Sequence, residues 1–282
     1  MFLNKANFIK IYILLFITFS YSYGNDKVSL QLKWFHQFQF AGYYAAKEKG
    51  FYDDVGLDVE IKQRNLQFNN IEQVIDGKSE YGVGDSVLLL YKAKQKPVVI
   101  ITPIFQHSPS VLIALKNSGI HSPYDLDNKN IIFYDNDIDG FTLLAMLKKL
   151  NIKPNLIRQR EKNDYLKIMN KEAYALPGYL TNEPFHFKEK NQKLTVINPM
   201  HYGFDLYGDM LFTNENEAKN YPNRVKKFKK ATLKGWEYAL KNKEEIIQLI
   251  HSKYNSSKSI EHLRFEANAI EKVISADTIP LG

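Results

Sequence analysis

Three short stretches bring together residue types able to recognise a small molecule. Trp34-Phe35-His36-Gln37-Phe38-Gln39-Phe40 mixes aromatic faces with amides, a combination that stacks on a flat ring while hydrogen-bonding its edge. Two amides, Gln37 and Gln39, are costly to bury in such a loop without partners. The loop therefore reads as a binding loop, with Trp34, Phe35, Gln37 and Phe40 as contact candidates, against the plainer reading of aromatics that pack one lobe on another. Gly84-Asp85-Ser86 offers backbone amides, a carboxylate and a hydroxyl at a helix start, suited to a polar head group or to an ordinary helix cap. Asp135-x-Asp137-x-Asp139-Gly140 imitates the start of a calcium loop. Met146 stands where a bidentate glutamate should close that cage, so a solvated turn is the reading.

Catalytic readings fail on single positions. Gly84-x-Ser86 opens like a nucleophile elbow, but Leu88 replaces the final glycine. The seven histidines are scattered, with no metalloprotease-type pair, and His107 and His201 stand out only for lying beside apparent lobe crossings. There is no cysteine, hence no disulfide, thiolate metal site or thiol nucleophile. The run Arg224-Val225-Lys226-Lys227-Phe228-Lys229-Lys230 keeps Val225 and Phe228 for a core. Its lysines read as a solvated face, and no nucleic-acid partner is expected.

The elements that must carry these loops follow from periodicity. Val28, Leu30, Leu32 and Trp34 alternate with polar residues, predicting a strand that ends at Trp34. A helix over Ala41 to Lys49 should stop at Gly50, and one over Ile71 to Asp76 at Gly77. Leu57 to Ile61, Tyr81 to Val83 and Val98 to Phe105 read as strands, with a helix capped by Asp85 or Ser86 running to Ala93. The pattern restarts with strands at 111–115, 130–134 and 194–197 and helices at 141–150 and 165–170; the last quarter is helical. Strands alternating with helices predict an α/β chain with mostly parallel sheets, whose ligands bind beyond the strand ends.

Lys5 and Lys10 precede an apolar run, Ile11 to Phe19, and then small and polar residues. This is a signal-peptide pattern, too short to span a bilayer. Export to the periplasm is expected, with an uncleaved signal or a missing C-terminal segment as the alternative means of membrane attachment. Removal of residues 1–24 would take the net charge from +7 to +5.

Leu32-Lys33-Trp34, Ala41-Gly42-Tyr43-Tyr44-Ala45-Ala46-Lys47-Glu48-Lys49-Gly50-Phe51-Tyr52 and Gly56-Leu57-Asp58-Val59 together resemble a known family. The likeness continues at Thr181-Asn182-Glu183-Pro184, Tyr207-Gly208-Asp209, Gly235-Trp236-Glu237-Tyr238-Ala239 and Phe265-Glu266-Ala267. The family is the type II periplasmic binding proteins that include thiamine-pyrimidine-precursor binders, alkanesulfonate binders and thiamine pyrimidine synthases. The resemblance implies two α/β lobes joined by two crossing strands: 25–106 and 204–282 in the first, 107–203 in the second. Trp34 and its loop, Gly84, Asp85, Ser86, Asn182, Glu183, Tyr207 and Asp209 would face the cleft. It implies a small flat polar ligand, foremost a pyrimidine precursor of thiamine, delivered to an ABC-type permease; a sensor input domain feeding a downstream signalling module is the alternative. The synthase members use pyridoxal phosphate, iron and a Gly-Leu-Lys-Ala-Met-Ile-His motif. Here that stretch is Gly82-Val83-Gly84-Asp85-Ser86-Val87-Leu88, without the lysine or the histidine, so no cofactor and no catalysis are expected.

Overall fold

The computed structural model describes residues 24–134, 139–159, 165–274 and 281; the signal-like stretch and Asp135 and Asp137 lie outside them. Two five-stranded sheets form. The first contains β1 (Asp26–Gln31), β2 (Leu57–Lys62), β3 (Tyr81–Gly84), β4 (Val98–Pro103) and β10 (Met210–Asn214), in the order β2-β1-β3-β10-β4. The second contains β5 (Ser110–Leu115), β6 (Asn130–Phe133), β7 (Asn155–Arg158), β8 (Ala175–Tyr179) and β9 (Leu194–Ile197), in the order β7-β6-β8-β5-β9. In each sheet four strands run one way. The reversed strand, β10 or β5, is the first one entered after the chain crosses from the other sheet.

Helices cover both faces of each sheet. On the first these are α1 (Ala41–Glu48), α2 (Asn70–Ile75), α3 (Leu88–Ala93) and the C-terminal set α7 (Glu215–Asn220), α8 (Pro222–Lys241), α9 (Lys243–Leu249) and α10 (Ile260–Ile274). On the second they are α4 (Phe141–Lys149), α5 (Tyr165–Met169) and α6 (Pro184–Glu189). The reversed strands are buried on both faces. Leu211 of β10 joins the α1/α8/α10 core while Met210 and Phe212 join the α2/α3 side, and Leu112 and Val111 of β5 divide likewise. Such strands read as continuous apolar runs rather than alternations. That is why β10 escapes a period-2 search. β8 escapes it because Pro177 and Gly178 lie inside it; it registers with β6 only at Ile131–Ala175, so Pro177 interrupts no parallel ladder.

The first strand stops at Gln31, three residues before Trp34. Past it Leu32 N still donates to the Lys62 carbonyl (2.8 Å), and the Gln31 amide donates to the carbonyls of Leu32 (3.0 Å) and Gln63 (3.2 Å). Gly50 (φ 72°) and Gly77 (φ 70°) do terminate their helices in the left-handed region. α1 and α8 touch backbone to backbone: a Cβ on Gly42 would sit 2.1 Å from the Trp236 ring, and one on Gly235 2.2 Å from the Gly42 carbonyl.

Candidate functional site between the lobes

The two crossings lie side by side as a ribbon. The amides of Ile104 (2.8 Å) and Phe105 (3.0 Å) donate to the Asp209 carbonyl, Gly208 donates to Phe105 (3.0 Å), and Ser108 to Leu206 (2.8 Å). A Cβ on Gly208 would meet Phe105 Cβ at 2.8 Å and the His107 carbonyl at 2.9 Å, so this approach requires glycine. His107 Nδ1 and Asp205 Oδ1, 2.7 Å apart, tie the two segments again; His201 lies in the short turn Pro199–Tyr202. The ribbon delivers the Asp209 side chain to the floor of the cleft, where the ends of β1, β3 and β8 converge.

There Lys33 Nζ donates to Asp85 and to Tyr179 Oη (2.6 Å), and lies 3.5 Å from Asp209 Oδ1. Tyr179 Oη in turn donates to Asp209 Oδ1 (3.3 Å), and Gln39 Nε2 to Asp209 Oδ2 (2.7 Å). Gln37 Nε2 donates to Gln39 Oε1 (2.5 Å). Lys258 Nζ then gathers Gln37 Oε1 (2.8 Å), Asn182 Oδ1 (2.8 Å) and Glu266. One unbroken hydrogen-bonded chain thus runs from Asp85 to Asn182 and passes between the lobes at Lys33–Tyr179–Asp209, out and back, and at Lys258–Asn182. A third link is two-pronged, with the Arg64 guanidinium on Asp139 at 3.2 and 3.0 Å. The Arg64 guanidinium also lies over the Trp34 ring, 5.9 Å from its centroid.

Burial sets the charges. It would strip the proton from Lys33, but Asp85, Tyr179 and Asp209 outweigh it and hold the ammonium. Burial pushes the Asp209 carboxyl up to about 6 against the pull of Lys33. It also raises Glu183 and Glu266, opposed by Lys258. His262 is driven down to about 3 by burial, Lys258 and His186, and so stays neutral.

Several of the residues picked out in the sequence meet here. Asp85, Asp209, Gln37 and Asn182 belong to the chain itself. Glu183 braces it, accepting from the Tyr179 amide (2.5 Å) and from Asn182 Nδ2 (2.7 Å). Ser86 Oγ donates to the Tyr207 carbonyl (3.1 Å) and approaches Thr142 Oγ1 at 3.5 Å, whereas the Tyr207 ring is half exposed. Trp34 and Phe35 pack edge to face at 5.5 Å, both partly exposed. Gly84 is paired with Met210 inside the sheet. Phe40 departs from expectation: the short turn Phe38–Phe40 leads into α1 and turns its ring into the core of the first lobe, where it is fully buried. Asp85 does not cap α3, which begins at Leu88; its Oδ1 accepts from Val87 N (2.9 Å), one residue before the helix. Lys33, Arg64, Tyr179, Lys258 and Glu266 escape selection from sequence. Lys33 sat among the polar members of an alternating strand, and Lys258 reaches Gln37 only through a contact 221 residues long.

A family model described as NMT1/THI5 like matches residues 37–246. The chain belongs to the NMT1/THI5-like family. Among curated relatives of this family member, the formylaminopyrimidine-binding protein of Halalkalibacterium halodurans is 22% identical, over 80% of this chain and 70% of that protein. The 4-amino-5-hydroxymethyl-2-methylpyrimidine phosphate synthase of Legionella pneumophila is 24% identical, over 80% and 73%. Among solved structures, the periplasmic aliphatic sulphonate binding protein SsuA from Escherichia coli superposes with a TM-score of 0.67 at 12% identity, over 87% of this chain and 84% of that one. The fold is that of the type II periplasmic binding proteins.

At the positions where the family resemblance places a lysine and a histidine stand Gly84 and Leu88; Leu88 is fully buried in apolar packing, and the amine of Lys33 is held as an ammonium by carboxylates. Among the described residues no three His, Asp or Glu side chains are placed to hold a metal, and no helix is long and apolar enough to cross a membrane.

Proposed function

We propose that this NMT1/THI5-like chain is an exported solute-binding protein of the ABC-importer type, closing its lobes over a small, flat, nitrogen-bearing molecule, with a pyrimidine precursor of thiamine as first candidate. The observation that carries the reading is the hydrogen-bonded chain from Asp85 to Asn182. It places polar side chains of both lobes against each other beside a two-stranded hinge. A ligand that replaces part of this network converts its affinity into lobe closure. The pyrimidine-binding relative supports the choice of first candidate.

A thermal-shift screen of the chain from Asn25 onward tests it, with pyrimidine thiamine precursors, flavin fragments, sulfonates and pyridoxal phosphate. A compound at ~100 times its dissociation constant adds about 2.7 kcal/mol of stability. Stabilisation by a pyrimidine, lost in Trp34→Ala while the fold is kept, is the expected outcome. Silence across the whole panel overturns the proposal.

A further inference from the structure

A buried recognition site advertises its ligand through the hydrogen-bonding capacity it leaves over. An ammonium has three donors and no acceptor. Lys33 donates to Asp85 and Tyr179 and lies 3.5 Å from Asp209, and Lys258 donates to Gln37, Asn182 and Glu266. Lys258 has no donor left for an incoming anion, and the remaining donor of Lys33 faces the Asp209 carboxylate. The carboxylates are in the opposite position, since each can accept about four hydrogen bonds. Asp85 takes one from Lys33 and one from Val87 N, and its side chain is still 21% exposed.

Charge points the same way. Among the described residues between the lobes, Lys33, Arg64 and Lys258 face Asp85, Asp139, Asp209, Glu183 and Glu266, three cations against five carboxylates, in a chain whose net charge is +7. The floor itself holds two carboxylates on one ammonium. Among the described residues of the cleft, one donor runs against the trend: Arg64 Nε is buried without a partner beside Trp34, where it can meet one acceptor atom of a ring.

We infer that the cleft selects a flat cation or amidine-like edge, read by Asp85 and Asp209, and rejects sulfonates and carboxylates of the same shape. This deepens the solute-binding reading and rests on it. The overall fold of the sulphonate binder is retained, while the floor presents acceptors.

Calorimetry on the full chain at pH 7.5 and low salt, with benzamidinium, neutral benzamide, benzoate and benzenesulfonate as probes, decides it. Benzamidinium should bind at least about tenfold more tightly than benzamide, the scale of one charge-assisted hydrogen bond, and the two anions should give no heat. Asp85→Asn and Asp209→Asn, each verified as folded by circular dichroism, should each weaken benzamidinium about tenfold. Equal or tighter binding of either anion overturns the inference, as does benzamidinium affinity unchanged in both variants. If a neutral pyrimidine binds while benzamidinium does not, this inference falls and the solute-binding reading stands; if nothing binds, both fall.

Discussion

The two lobes share one strand plan and divide the chemistry unequally. Each sheet has four strands running together and one reversed strand inserted after a crossing. At the cleft, though, the first lobe supplies all three cations of the latch, Lys33, Arg64 and Lys258, while the second supplies Asp139, Glu183, Asn182 and the Tyr179 hydroxyl. The lesson is that duplication of a fold fixes where side chains can meet, and local substitutions decide what they say to one another. Closure here joins the cations of one lobe to acceptors of the other, so the lobes attract without help from a solute.

The largest test of this asymmetry removes its central cation. Lys33→Met leaves Asp85 and Asp209 facing each other, and stability at pH 7.5 should fall by about 3–5 kcal/mol in denaturant titrations, the usual loss when one partner of a buried ion pair is deleted. A loss below about 1 kcal/mol would mean that Lys33 does not hold the floor together. The same experiment run against pH sharpens the point. Asp209 faces Lys33, Asp85, Tyr179, Gln39 and the ring of Tyr43, and its carboxyl is held near 6, above its ordinary 3.8. Between about pH 4 and 6 the folded state keeps a proton that the unfolded chain releases, so this group makes stability decline as pH rises through that window, by about 3 kcal/mol at most. Asp209→Asn should flatten that slope in unfolding curves collected from pH 4 to 7.

Smaller effects separate the lobe core from the latch. Gly42→Ala forces a methyl into the Trp236 ring and should cost about 1–3 kcal/mol through overpacking, seen as a lower unfolding midpoint with ligand response retained. Arg64→Gln removes one latch outside the cleft floor. It should change stability by about 1–2 kcal/mol and enlarge the radius of gyration in small-angle scattering, whereas an unchanged radius would deny Arg64–Asp139 a role in closure. Lys92→Met, which breaks an exposed pair with Glu215 far from the cleft, should leave both readings within error.

Much of the scaffold is legible in the residues. The alternation at Val28 and Leu30, the helix stops at Gly50 and Gly77, and the family likeness all lead to the observed elements. The cost of burying Gln37 and Gln39 is answered by bonds to each other, to Lys258 and to Asp209. What stayed hidden depends on partners far along the chain. Lys33 looks like any polar residue of an amphipathic strand until Asp209 and Tyr179 are folded beside it. Phe40 looks like a stacking ring until the backbone turn that precedes α1 carries it inward. Tyr179 follows a Pro-Gly pair that argues against the strand it ends.

The position of β10 also has a bearing on synthesis. It lies between β3 and β4, so the first sheet stays split until residue 214 has been made, and α8 and α10, which roof its core, come later still. The strands of the second sheet, by contrast, form a continuous run ending at residue 197. As the polypeptide emerges, the lobe that begins first is necessarily finished last, and for most of that interval its half-built sheet exposes to chaperones and proteases the very gap that β10 will fill.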